Sequence, residues 1–143
     1  MSESEEKLHW IEGKMRLPIY YEDTDFSGYV YHANYLKFFE RARTEALREA
    51  GINQSGLWQS ENIGFVVRRL SVDYTKPARL DDLLAVETQL QEFGKASVTL
   101  TQTVKRGADI LATVHIKLAI IDRDFSLVKL SNELKHTLTK IFS

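Results

Sequence analysis

A chain of 143 residues with a formal net charge of -1 is long enough for one domain with a real core and has no overall pull toward nucleic acid or an anionic membrane. It contains no cysteine, which excludes disulfides, thiolate metal sites and a cysteine nucleophile together. Residues 1–7 are polar and acidic, with no apolar run suited to a signal peptide or membrane span, so the expected location is the cytoplasm.

Residues 1–14 read as a flexible tail, with Trp10 and Ile11 available to pack back on the body, and 15–143 as a single domain. Met15 to Tyr21 alternates loosely between apolar and polar residues, as a strand with one solvated face does. From Tyr35, the residues Phe38, Phe39, Ala42, Ala46 and Ala50 recur at helical spacing, and Gly51 is placed to close that helix in a left-handed conformation. Ile52 to Asn62 reads as a long connection with a short helical turn around Leu57 and Trp58. Trp58 suits either an acyl pocket or a cover over the core.

From Gly64 the period becomes two. Leu70, Val72 and Tyr74 alternate with Arg69, Ser71 and Asp73 until Pro77 interrupts. Leu84 to Gln91 and Val98 to Val104 flank a turn at Phe93-Gly94-Lys95 and form a hairpin; a second turn at 106–109 leads to Ala112–Ile120. Ser131 caps a last helix in which Leu134, Leu138 and Ile141 share a face. One long helix with roughly five strands is an α+β pattern, an antiparallel sheet burying its apolar face on that helix.

Between the first strand and the long helix lie Glu22, Asp23, Asp25, Gly28 and His32. Such a polar cluster between apolar elements is costly to desolvate unless it is paired, solvated or used. The helix start supplies open N–H groups and the positive end of the helix dipole, suited to a carbonyl oxygen that becomes negative. Carboxylate and helix start together suggest acyl transfer or hydrolysis.

The run Tyr20-Tyr21-Glu22-Asp23-Thr24-Asp25, with Gly28, Val30-Tyr31-His32-Ala33 and Tyr35, followed by Phe39-Glu40-Arg41-Ala42-Arg43-Thr44-Glu45, resembles the YbgC-type acyl-CoA thioesterases. These form part of the hydroxybenzoyl-CoA thioesterase branch of the hotdog superfamily. The resemblance continues through Phe65–Leu70 and Pro77–Asp82 and spans about Leu17 to Asp122. It implies a hotdog fold, a homodimer or homotetramer with active sites between subunits, and hydrolysis of an acyl-CoA to free acid and coenzyme A without a cofactor.

By the same resemblance Asp25 is the catalytic carboxylate, acting as nucleophile or general base. His32 orients the reactants while its backbone N–H polarises the thioester oxygen. Tyr21 stands where it can hydrogen-bond the carboxylate or a water. Gly28 has a backbone role, either close approach or a positive φ. Where the family often has two glycines this chain has Ser27-Gly28, with bulky Phe26 and Tyr29 alongside. Arg68 and Lys95 are the leading substrate-binding cations for the coenzyme A phosphates, with Arg69, Lys76 and Arg79 behind them.

His9, His32, His115 and His136 lack metal-ligand spacing, so no metal is expected. A non-catalytic module binding acyl carrier protein or a cell-envelope partner is the alternative from another class, and a hotdog dehydratase is the enzymatic one.

Overall fold

A computed structural model describes residues 10–11 and 14–142 of the chain. The elements are β1 (Trp10–Ile11), β2 (Lys14–Pro18), α1 (Asn34–Glu49), α2 (Gln54–Glu61), β3 (Gly64–Tyr74), β4 (Leu83–Phe93), β5 (Ser97–Arg106), β6 (Asp109–Ile121) and α3 (Asn132–Ile141). A 3-10 turn at Tyr21–Asp23 lies between β2 and α1. The strands form one antiparallel sheet in the order β1-β2-β4-β5-β6-β3.

The two turns read from the sequence produce the β4-β5-β6 meander. β2 then adds to the free edge of β4 and β3 to that of β6. The short β1 pairs Trp10 with Met15 and Ile11 with Lys14, so part of the expected tail is strand. The rest of that expectation, and the side chains of Trp10 and Ile11, lie outside the described residues.

The long helix is apolar on one face because Tyr35, Phe38, Phe39, Ala42, Ala46 and Leu47 fall at helical spacing, and all six are buried. Burying a side chain the size of Phe38 or Phe39 is worth about 1.5–3 kcal/mol. Ala50, expected on this face, is exposed, and Leu47 fills the last turn instead. Gly51, at φ +84, closes the helix: its N–H donates to the Arg48 carbonyl at 2.9 Å, and that of Ile52 to the Leu47 carbonyl at 2.8 Å.

α1 lies against β2 and β4 and shares one core with Leu84, Val86, Val98, Leu100, Val114 and Ile116 of the sheet. This is the α+β arrangement the periodicities imply. α2 is a full helix where only a turn was expected. Asn53 caps it by accepting the Gly56 N–H at 3.1 Å, but it has no buried residue and so left no apolar period to read. Trp58 packs against Gly64, within 3.0 Å of where a side chain there would begin, and lies outside the loop that carries Asp25.

β3 differs from expectation in burial. Leu70 and Tyr74, read as its inner face, are exposed, and so is Val67. The reason is position: β3 is the sheet's outer strand beyond β6, while α1 lies toward the opposite edge. A bulge between Val67 and Arg69 leaves Arg68 out of register.

Candidate active site

After β2 the backbone stays tied to the start of β4, with Ile19 N–H donating to the Asp82 carbonyl at 2.9 Å. Asp23 Oδ2 accepts the Tyr20 N–H at 2.9 Å and closes the turn, so this carboxylate is structural. The chain then doubles back. Asp25 N–H donates to the Tyr29 carbonyl and Gly28 N–H to the Asp25 carbonyl, both at 3.0 Å. Gly28 sits at φ +86, and a side chain there would meet nothing within 4 Å. Of its two expected roles, the positive φ is the one the structure requires.

Asp25 is exposed on this loop. Its Oδ1 accepts both the hydroxyl of Ser27 and the Ser27 N–H, the latter at 2.9 Å. The Ser27 hydroxyl first, and then the Ser27 amide, hold the carboxyl below its ordinary pKa, with a smaller contribution from the charge of His32. Among the described residues no other residue donates to Oδ2. The carboxylate is therefore kept ionised through one oxygen and left open at the other.

His32 lies two residues before the start of α1. Its carbonyl accepts the Tyr74 hydroxyl at 2.8 Å, and its ring meets that of Tyr74 edge-on at 6.1 Å. Among the described residues the N–H groups of His32 and Ala33 have no acceptor, and no side chain caps α1. The helix start thus presents open donors on the same loop as Asp25. A groove of about 260 Å³ runs beside it, lined by Val30, His32, Tyr35, Tyr74, Thr75, Lys76 and Pro77. Asp25 is not among its lining residues.

Tyr21 is 82% exposed and its hydroxyl makes no hydrogen bond to Asp25. Arg68, in the β3 bulge, and Lys95, in the β4-β5 turn, are exposed. Lys95 follows the end of β4 whose start adjoins the Asp25 loop. At about 3.3 Å per residue, a strand of 11 residues sets the two ends roughly 30 Å apart within one chain.

Three other cations stand beside the loop. Arg79 lies over the Tyr29 ring at 5.3 Å, Arg106 pairs with Asp82 at 2.8 Å, and Lys76 with Asp109 at 3.1 Å. Burial opposes ionisation of Asp82, but the Arg79 N–H and the Arg106 guanidinium outweigh it and lower its pKa. Ser27, Tyr74 and Arg106 carry no role in the sequence reading; Ser27 lies within the loop itself, while Tyr74 and Arg106 are brought to it by folding alone.

Residues 27–113 match the model of the thioesterase superfamily. The chain belongs to the thioesterase superfamily. The matched span begins just after Asp25.

The acyl-CoA thioesterase YbgC of Haemophilus influenzae is 46% identical over 104 residues, 73% of this chain and 76% of that one. The long-chain acyl-CoA thioesterase FadM of Escherichia coli is 32% identical, over 82% of this chain and 89% of its own. The crystal structure of a probable thioesterase from Bartonella henselae superposes with a TM-score of 0.79 at 36% identity, covering 82% of this chain and 98% of that one. The fold is therefore the hotdog fold that the motif implied. Among the described residues no helix is long and apolar enough to cross a membrane.

Proposed function

We propose that this thioesterase hydrolyses acyl-CoA thioesters to a free acid and coenzyme A, with Asp25 as the reacting carboxylate and the start of α1 as the oxyanion site. The observation that carries this is the pairing, on one short loop, of an ionised carboxylate open at Oδ2 with uncapped N–H groups at His32 and Ala33. Donors fixed in advance where charge develops are worth about 2.7–4 kcal/mol each to a transition state.

A carboxyl held below its ordinary pKa stays ionised, as both direct attack and general-base action require; direct attack is the first route. In that route Oδ2 bonds to the thioester carbon, the carbonyl oxygen takes the negative charge at the helix start, and the C–S bond breaks to release the coenzyme A thiolate. Water then hydrolyses the mixed anhydride, returning the carboxylate and giving the free acid.

The working unit in this reading is a homodimer joined along β3. That strand exposes a free edge together with Val67, Leu70 and Tyr74, a combination that soluble proteins seldom leave uncovered. Antiparallel pairing centred on residues 67–71 sets Tyr74 of each copy opposite residues 64–66 of the other. The sites then lie between copies, and the cations at Lys76, Arg79 and Arg106 stand nearest the thioester as partners for coenzyme A phosphates. Arg68 and Lys95 reach it only from the second copy.

Thiol release from short, long and aromatic acyl-CoAs tests the reading. Turnover of at least one class supports it. No release from any of them, with acyl carrier protein still bound, turns the protein into a binding module.

A further inference from the structure

The inner side of α1 carries one charged residue where neighbouring positions are apolar. Arg43 is half-buried, and desolvation pushes its guanidinium below its usual pKa against the opposing charge of Glu40. No carboxylate lies within ion-pair distance of it among the described residues. Its Nη1 donates to Gln102 Oε1 at 3.0 Å. Gln102 is itself fully buried, and its Nε2 is committed to the Phe39 carbonyl at 2.9 Å and the Thr88 hydroxyl at 3.0 Å. The amide is thus locked with its oxygen toward Arg43. A guanidinium has five N–H donors, and Gln102 takes one.

Arg43 lines a cavity of about 170 Å³ between α1 and the sheet. Val67, Leu118 and Val98, cross-strand neighbours on β3, β6 and β5, form part of its wall, and Leu100, Leu138 and Phe142 close it from within. Glu40, Gln54 and Val67 are exposed at its rim, so it opens beside the outer strand. A dry cavity of about 150 Å³ is known to hold one benzene ring, which sets the scale of an occupant. A guanidinium partly withdrawn from water, with Gln102 taking one donor and Glu40 beyond ion-pair distance, gains from an occupant that brings an acceptor oxygen.

We infer that this cavity is the blind end of the acyl pocket and that Arg43, oriented by Gln102, selects compact acyl groups carrying an acceptor oxygen at the end remote from the thioester. The inference rests on the acyl-CoA reading and on the β3 pairing above. That pairing brings the Tyr74 of one copy, with the His32 it holds, opposite Phe65 at the mouth of the other copy's cavity. The carbonyl is then held by one copy and the acyl terminus by the other.

The test uses the full chain with hexanoyl-CoA, 5-oxohexanoyl-CoA and adipoyl-CoA, which share a six-carbon chain and differ at its end. Wild type should prefer the two oxygen-ended substrates by about tenfold or more in kcat/KM, the value of a hydrogen bond to a charged group. Arg43→Met should level the three, while Arg43→Lys keeps part of the preference. Free adipate gives a readout without turnover, since one carboxylate can lie at the helix start and the other at Arg43: its binding should weaken about tenfold in Arg43→Met.

Equal kcat/KM for all three in wild type, or adipate binding unaffected by Arg43→Met, overturns the assignment. Wild type that binds adipate through Arg43 yet releases no thiol from any substrate keeps the cavity assignment and removes the hydrolase reading.

Discussion

The hydroxyl of Tyr74, the last residue of β3, donates to the carbonyl of His32 at 2.8 Å. This one bond fixes the outer strand to the turn that opens α1. It occupies the His32 carbonyl, and because the Ala33 N–H lies in the same planar peptide and points the opposite way, it sets the direction of that open donor.

Tyr74→Phe should therefore act on the reaction more than on binding. Losing one such hydrogen bond costs about 0.5–1.5 kcal/mol, which corresponds to a two- to tenfold fall. Steady-state kinetics should show that fall in kcat with KM little changed. A change confined to KM would assign Tyr74 to substrate binding.

Ser27 controls the charge of Asp25. Its hydroxyl and amide lower the carboxyl pKa, so the ionised form persists to more acidic pH than for an ordinary aspartate. If the ionised form is the active one, kcat/KM falls only as pH drops through that lowered pKa. Ser27→Ala removes the larger of the two causes and should move the acid limb of the pH profile upward. An acid limb that stays in place would detach Asp25 from that limb.

Tyr35 supports the site from beneath. Its buried hydroxyl accepts the N–H of Ala78, itself fully buried, at 3.1 Å, and burial raises the tyrosine pKa. Tyr35→Phe strands that N–H, a loss of about 1–3 kcal/mol. Urea denaturation should show the midpoint falling with an unchanged slope.

The features legible in the sequence were those where burial follows a simple period. The face of α1 from Tyr35 to Ala46 and its stop at Gly51 are in the residues, as are the two turns of the β4-β5-β6 meander. β3 was misread because alternation reports burial only when something covers the strand, and here the chain leaves Leu70 and Tyr74 bare. α2 buries nothing and so shows no pattern.

At the site, the loop motif carried Asp25, Gly28 and His32, but the contacts of Ser27 and Tyr74 come from loop geometry and from a strand that returns after α1. Gln102 was visible in principle. It breaks the apolar row of Val98, Leu100 and Val104, and a polar residue in such a row needs a partner, which is Arg43.

The bare edge of β3 has its own consequence. A lysine placed at the centre of an exposed edge opposes strand pairing, so Leu70→Lys should shift the protein from dimer to monomer in sedimentation velocity. It should also reduce thiol release, since each site would lose its second half. A variant that stays dimeric would place the contact on another surface.

The most direct test is thiol release by Asp25→Asn on whichever acyl-CoA the wild type turns over, with folding checked by circular dichroism. A general-base carboxylate contributes about 10²–10⁴-fold and a nucleophilic one forms the first bond of the reaction, so activity should fall by at least about a hundredfold while the fold and the dimer persist. An Asp25→Asn protein that hydrolyses the same substrate at near wild-type rate would contradict the assignment of Asp25 as the reacting group.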